Sequence, residues 1–135
     1  MKKLVAMFGL VFSAALFFPA CDFGIGNSEG SCDPGNACVC NGIGNCSRDC
    51  TGAGCDFTCS GTGNCEMACD DGGCSATVSG QGNAILDCAG NGCSMVCKNT
   101  GTCTIQNCTK DCTIDCGGTG TCSIDGCDDP SCVVK

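Results

Sequence analysis

The sequence predicts an all-β fold, a small disulfide-rich parallel β-solenoid (β-helix) of about five 19-residue coils with two short strands per coil. Three observations predict it: a 19-residue period in the cysteines, an alternation of buried-type and polar residues between them, and glycine-rich turns at fixed places. The chain has 21 cysteines in 135 residues and no Trp, Tyr or His, so it cannot assemble a large apolar core. Small chains of this kind depend on disulfides or metal ions for stability.

The cysteine period is the strongest of these signals. Cys46 and Cys65 are 19 residues apart, and the same step joins Cys74 to Cys93. Five consecutive units begin at residues 40, 59, 78, 97 and 116. A constant period over five units indicates stacked repeats, each of which supplies one coil of the solenoid.

Each unit contains two segments in which cysteine or an apolar residue occupies alternate positions, such as Cys65–Met67–Cys69. This period of two is typical of a strand with one buried face. Frequent glycines and the lack of a 3.6-residue period exclude helices. Asn107 and Gly126 add one residue to the first strand of the last two coils, and we interpret them as β-bulges.

Two kinds of turn separate the strands. One turn has glycine at the same place in all five units, namely Gly44, Gly63, Gly82, Gly101 and Gly120. Two residues earlier stand Gly42, Gly61, Gly80, Asn99 and Gly118, and a position restricted to Gly and Asn predicts a positive φ there. The other turn ends in Gly54, Gly73 and Gly92, and then in Asp111 and Ser131.

The N-terminus has the pattern of a secretory signal peptide. Lys2 and Lys3 precede the uncharged run Leu4–Phe18, which is short for a membrane span of about 20 residues. With Ala20 before Cys21, the segment resembles the signal peptides of bacterial lipoproteins, although Phe18 and Pro19 depart from their usual pattern. The resemblance implies cleavage before Cys21, a lipid on that cysteine, and an exported protein anchored in the bacterial cell envelope. Ordinary signal-peptidase cleavage and a retained anchor helix are the alternatives.

These features divide the chain into three parts. Residues 1–20 form the signal peptide, residues 21–31 the lipid-anchor cysteine and a flexible tether, and residues 32–135 the solenoid. Assigning Cys21 to lipid leaves 20 cysteines, an even number that can pair completely in the oxidising compartment that export implies. The leaflet that holds the anchor is left open.

The pairing of the cysteines can run across each tight turn, across the core, or between coils. In the third unit Val78 and Ala84 replace cysteines on both sides of the same turn. This favours pairing across turns, because both partners of one bridge are then absent together and no cysteine is left unpaired. That scheme gives Cys32–Cys38, Cys40–Cys46, Cys50–Cys55, Cys59–Cys65, Cys69–Cys74, Cys88–Cys93, Cys97–Cys103, Cys108–Cys112, Cys116–Cys122 and Cys127–Cys132. It predicts a mature protein without free thiols.

Composition restricts the function. After cleavage, four Lys and Arg side chains remain against 14 Asp and Glu, a net charge near −10, so we expect the protein to repel nucleic acid and to have no nucleic-acid partner. Without histidine there is no imidazole base, and a thin rod offers no deep cleft, so we expect no enzyme, no catalytic residue and no cofactor. The favoured function is that of a rigid structural or interaction rod, a monomer held to the membrane through its lipid.

Two other functions stay open. A metallothionein-like protein would bind soft metal ions through thiolates, but the chain has no C-x-x-C motif. Calcium is a separate question, and we interpret the acidic turn residues as solvated rather than as a calcium site; examples are Asp70, Asp71, Asp128 and Asp129. The body also loosely resembles the cysteine-rich β-solenoid antifreeze proteins of insects, on the residues Thr102, Thr104, Thr121 and Ser123. That resemblance implies an ice- or surface-binding face.

Overall fold

The computed structural model of the protein describes residues 26–135. The signal peptide, Cys21 and the first part of the expected tether lie outside the described residues. Within residues 26–135 there is no helix that is long and apolar enough to cross a membrane.

The described chain forms twelve short strands. They are β1 (Ser28–Cys32), β2 (Ala37–Cys40), β3 (Cys46–Cys50), β4 (Asp56–Cys59), β5 (Cys65–Ala68), β6 (Ser75–Val78), β7 (Ala84–Asp87), β8 (Ser94–Cys97), β9 (Thr102–Gln106), β10 (Thr113–Cys116), β11 (Thr121–Ile124) and β12 (Val133–Val134). Most of them have four or five residues because a cysteine corner or a glycine turn ends each run of alternation.

The strands build two six-stranded parallel sheets. The first sheet has the order β1-β3-β5-β7-β9-β11, and the second sheet the order β12-β10-β8-β6-β4-β2. Cys46 pairs with Cys65, and Cys65 with Ala84, so these coils lie one 19-residue unit above one another. The β-solenoid predicted from the period is therefore confirmed, with neighbouring coils about 4.8 Å apart.

The solenoid has six coils, whereas the sequence predicted about five. The additional coil comes from β1, which pairs with β3 from Ser28–Cys46 to Cys32–Cys50. The sequence predicts that residues 28–31 belong to the flexible tether, and the structure corrects this assignment. The missed signal is the sequence GIGN, which occurs at residues 24–27 and again at residues 42–45, with a period of 18 instead of 19.

The core is a narrow column of side chains between the two sheets. On the first sheet Met67, Leu86 and Ile105 stack in register, and all three are at most 1% exposed. On the second sheet Phe57, Ala76, Met95 and Ile114 form the facing column. Cysteines flank both columns at the corners of each coil, so sulfur fills the volume that larger apolar side chains fill in other small domains.

The glycines of the first kind of turn are required for two different reasons, a positive φ in one column and a close approach between coils in the other. Gly44, Gly63 and Gly82 have φ values of 122°, 139° and 121°, which favour glycine. The neighbouring column predicted to have positive φ does not have it. At Gly61 and Gly80 a Cβ atom would instead overlap the carbonyl oxygen of the glycine one coil below, so the close stacking of coils excludes a side chain at these two positions.

The two predicted bulges are also corrected. Asn107 and Gly126 lie just after the ends of β9 and β11, and their φ values are 58° and 88°. The additional residue therefore lengthens the turn in a left-handed conformation and leaves the pairing of the strand intact.

Candidate functional site: two disulfide edges and two outer faces

Disulfides close the turns along both narrow edges of the solenoid. Edge 1 denotes the turns that lead from the second sheet to the first, and edge 2 the turns that lead back. Edge 1 carries Cys40–Cys46, Cys59–Cys65, Cys97–Cys103 and Cys116–Cys122. Edge 2 carries Cys32–Cys38, Cys50–Cys55, Cys69–Cys74, Cys88–Cys93, Cys108–Cys112 and Cys127–Cys132. These are the ten pairs of the across-turn scheme.

The turns bring the bridged cysteines to suitable separations. Their Cα atoms are between 5.7 Å, in Cys32–Cys38, and 6.5 Å, in Cys108–Cys112. Both values lie within the range of about 4.4–6.8 Å that a disulfide requires. Each bridge encloses only a few residues, and the chain-entropy estimate for loops of this size is roughly 2 kcal/mol per bridge.

The edge 1 turn from Val78 to Ala84 has no disulfide and is held by packing and a hydrogen bond instead. Val78 and Ala84 are each 1% exposed and pack where other coils carry a bridge. Above them Asn99 is 2% exposed, and its Nδ2 donates a hydrogen bond to the carbonyl oxygen of Gly82 at 2.7 Å. Asn99 therefore ties the unbridged turn to the next coil.

Sulfur atoms of neighbouring coils come together on edge 2. Cys50, Cys55 and Cys74 form one group whose sulfurs lie within 4.8 Å of one another, and Cys88, Cys93 and Cys112 form another. All six are bridged, and a metal ion binds the thiolate form of cysteine. A metallothionein-like function would therefore require these bridges to be opened first.

The outer face of the first sheet is acidic and carries an asparagine row. Asn64 donates from its Nδ2 to Oδ1 of Asn45 at 3.2 Å, and its own Oδ1 accepts from the backbone N–H of Asn83. These bonds join successive coils. A shallow groove of about 400 Å³ runs beside the row and is lined in part by Glu29 and Glu66.

The threonine positions that resemble an ice-binding face lie on the same sheet. The hydroxyls of Thr102 and Thr121 are 3.2 Å apart, as are those of Thr104 and Ser123. In earlier coils Asn45, Asn64 and Asn83 precede Thr102 in its row, and Ser47, Glu66 and Ile85 precede Thr104, so a continuous hydroxyl row is confined to the last two coils of the first sheet.

The second sheet presents a separate row of small side chains. Asp56, Ser75, Ser94 and Thr113 lie in register, and the Ser75 hydroxyl donates to the Asp56 carboxylate. Beside them runs a β-branched row that the sequence reading did not single out, formed by Val39, Thr58, Thr77 and Val96.

The structure also places a buried cation, Arg48, which the sequence analysis counts only as part of the net charge. Arg48 is 8% exposed and stands in the column of Met67, next to Gly30. Its Nη1 donates to the Ser47 carbonyl oxygen at 3.0 Å, and its Nη2 lies 3.4 Å from the Ser28 hydroxyl. The available signal was its position, because the period-two pattern points the residue between Cys46 and Cys50 inward.

The acidic residues considered for calcium are exposed in the turns of edge 2. The side-chain and backbone hydrogen bonds from Ser131 lower the pKa of Asp129, and the charge of Lys110 lowers it further. Within residues 26–135, the only groups of three or more potential metal ligands at mutual ligand distance consist of cysteines.

Comparison with known proteins adds no functional assignment. No protein-family model, no curated protein and no solved structure matches this chain. Functional inference therefore depends on the chain's own geometry.

Proposed function

We propose that this protein is a rigid, non-catalytic rod that serves as a structural or interaction element of the bacterial cell envelope, anchored by a lipid on Cys21. The observation that carries the proposal is the stack of six coils, in which two continuous parallel sheets are stapled by ten bridges. Such a body should be stiff, since every coil is hydrogen-bonded to its neighbours and every turn between Cys32 and Cys132, except the one from Val78 to Ala84, is closed by a disulfide.

Bridges at the turns limit how far any one coil can open. Loss of the hydrogen bonds around one coil would leave its closed turns attached to the strands, so long stretches of extended chain are not released. The resulting rod is about 24 Å long, from five steps of about 4.8 Å between six coils. This property suits a spacer or coat component that must withstand proteases outside the cell.

The anchoring part of the proposal is supported by the N-terminal sequence and by cysteine parity. Of the 21 cysteines, 20 are bridged, and Cys21 is the remaining one. Ala20 and the apolar run before it supply the lipoprotein-like context. The acidic body repels nucleic acid and anionic headgroups, so we propose that attachment depends on the lipid and that the rod is a monomer.

Expression of the full chain in a bacterium tests the anchor. We expect the mature protein to partition into the detergent phase, and its N-terminal peptide to carry a mass increase on Cys21. The Cys21→Ser variant should enter the aqueous phase or accumulate uncleaved. Recovery of unmodified wild-type protein in the aqueous phase would contradict the lipid anchor while leaving the rod itself unaffected.

The stapled body is tested separately by intact mass before and after alkylation without reductant. No mass increase is expected for the mature protein, because all body cysteines are bridged. Several reactive thiols in the native protein, together with bound zinc or copper, would instead support the metal-binding alternative. Thermal hysteresis at millimolar protein would support the ice-binding alternative.

A further inference from the structure

The two edges differ in how closely successive bridges approach one another. On edge 2 the Cys50–Cys55 bridge lies beside Cys74 of the next coil, with all three sulfurs within 4.8 Å. Farther along the same edge, the sulfur of Cys112 is 3.9 Å from that of Cys88. Among the described residues, no cysteine of edge 1 belongs to such a group of three.

We propose that edge 2 is a track for thiol–disulfide exchange between neighbouring coils, entered by a dithiol from outside the protein. Exchange requires a thiolate in contact with a disulfide sulfur, and both groups of three supply that contact once one bridge is opened. Among the described residues no three sulfurs of edge 1 lie within 4.8 Å of one another, and edge 1 is interrupted where Val78 and Ala84 take the place of a bridge.

The first step uses the half-buried sulfur of Cys50. One thiolate of the external dithiol attacks Cys50, the Cys50–Cys55 bond breaks, and Cys55 leaves as a thiolate. The second thiol of the dithiol then closes that reagent's own disulfide and releases Cys50. The dithiol has lost two electrons, and the protein has gained two thiols.

The second step transfers the free thiol from Cys55 to a buried cysteine of the next coil and needs no further reagent. The Cys55 thiolate attacks Cys74, a Cys55–Cys74 bond forms, the Cys69–Cys74 bond breaks, and Cys69 leaves as a thiolate that takes up a proton. The numbers of thiols and bridges stay constant. Cys69 and Cys74 are 0% and 1% exposed, so exchange reaches a bridge that a dissolved reagent cannot contact directly.

The product fits the fold without movement of the strands. Asp56 pairs with Ser75, so the preceding residues Cys55 and Cys74 lie one above the other in neighbouring coils. The coil spacing of about 4.8 Å falls within the Cα range that a disulfide accepts. The same relation holds at the second group, where Ser94 pairs with Thr113 and Cys93 lies below Cys112.

Variants with one unpaired thiol test the proposal without added reductant. In Cys50→Ser the Cys55 thiol remains, and in the matched control Cys40→Ser, between the same two coils on edge 1, the Cys46 thiol remains beside Cys59–Cys65. Both proteins are held at mildly alkaline pH, quenched in acid, labelled with N-ethylmaleimide after unfolding, and mapped by mass spectrometry.

In Cys50→Ser we expect label on Cys69 and a Cys55–Cys74 linked peptide, at least several-fold more abundant than the corresponding Cys59 label in Cys40→Ser. Label confined to Cys55 would overturn the proposal. Equal migration in both variants would also overturn it, since exchange would then be general to stacked coils.

A second test does not depend on the folding of a variant. Wild-type protein is treated with substoichiometric dithiothreitol, and linked peptides are mapped over time. Exchange along edge 2 predicts a Cys55–Cys74 peptide before any bridge forms between coils on edge 1. Loss of native bridges without this product would contradict exchange along edge 2.

Discussion

The side-chain amide of Asn99 donates to the carbonyl oxygen of Gly82, 2.7 Å away, beside the one turn of edge 1 between residues 40 and 122 that no disulfide closes. Asn99 is also the one residue in its column that is not glycine, since Gly42, Gly61, Gly80 and Gly118 occupy the other coils. A hydrogen bond between coils therefore lies beside the turn that has no disulfide.

Replacement of Asn99 should therefore lower stability. Asn99→Gly restores the residue of the other coils but removes the buried bond and leaves the Gly82 carbonyl without its donor. We expect a loss of about 1–2 kcal/mol in the free energy of unfolding, measured by denaturant titration with the bridges intact. The exposed neighbour Thr100→Ala is the control, and an equal loss in both variants would contradict the role of Asn99.

The unbridged turn should accept an additional disulfide. Val78→Cys with Ala84→Cys recreates the six-residue separation of the other edge 1 bridges, and both positions are buried. We expect an eleventh bridge and a gain of roughly 2 kcal/mol, reduced by the loss of the Val78 side chain. Intact mass with alkylation and denaturant titration measure these effects, with Val78→Cys alone as the control. Two alkylatable thiols in the double variant would show that the turn differs from its neighbours.

The sequence predicted the repeating parts of this fold better than its ends. The column that contains Cys46 and Cys65 shows the repeat period directly in the sequence, because a disulfide at the turn requires cysteine at that place in most coils. The first coil has Ser28 at that place, so the sequence predicts a tether where β1 lies. Contacts between coils, such as that of Asn99 with Gly82, depend on the stacking distance and could not be inferred from one coil's pattern.

Functional surfaces were less predictable for the same reason. Outward rows follow from strand alternation, so the placement of Thr102 above the asparagine row could be anticipated. The approach of Cys74 to the Cys50–Cys55 bridge could not, because it depends on the directions in which sulfurs point from neighbouring turns.

Alanine at Gly63 should disrupt the stack of turns. The φ of Gly63 is 139°, and a Cβ atom there would overlap the carbonyl oxygen of Gly44 in the coil below. We expect Gly63→Ala to cost at least about 2 kcal/mol. Gly117→Ala is the matched control, because its Cβ would lie 3.7 Å from the nearest atom, in the Lys98 side chain. Thermal unfolding of the two variants distinguishes them, and similar midpoints would argue against close stacking at this turn.

The buried Arg48 offers a test of charge inside the narrow core. Arg48→Met places in this column the residue that Met67 supplies one coil above. Replacing a buried charge by an apolar side chain of similar length is often neutral or stabilising, so we expect a change of between zero and about +2 kcal/mol in the free energy of unfolding. Arg48→Ala should instead lose about 2 kcal/mol or more through the cavity it leaves.

Lys98→Met, at an exposed position, controls for the general effect of removing a positive charge from this acidic protein. Should Arg48→Met lose more than about 1 kcal/mol, the bonds from the guanidinium to Ser47 and Ser28 would be a net source of stability rather than a compensation for burial.

The turn at the C-terminal end of edge 2 predicts a local pH effect. Side-chain and backbone hydrogen bonds from Ser131 lower the pKa of Asp129 below its unfolded value, so the folded turn favours the carboxylate. Its contribution is present above the unfolded pKa and is lost as the pH falls through the folded pKa. NMR titration should show Asp129 protonating at lower pH in the wild-type protein than in Ser131→Ala, because the substitution removes the side-chain hydrogen bond and raises the pKa of Asp129 toward its ordinary value. An unchanged Asp129 titration in Ser131→Ala would assign the shift to the backbone N–H at position 131 and to Lys110, and Lys110→Met would then separate these two causes.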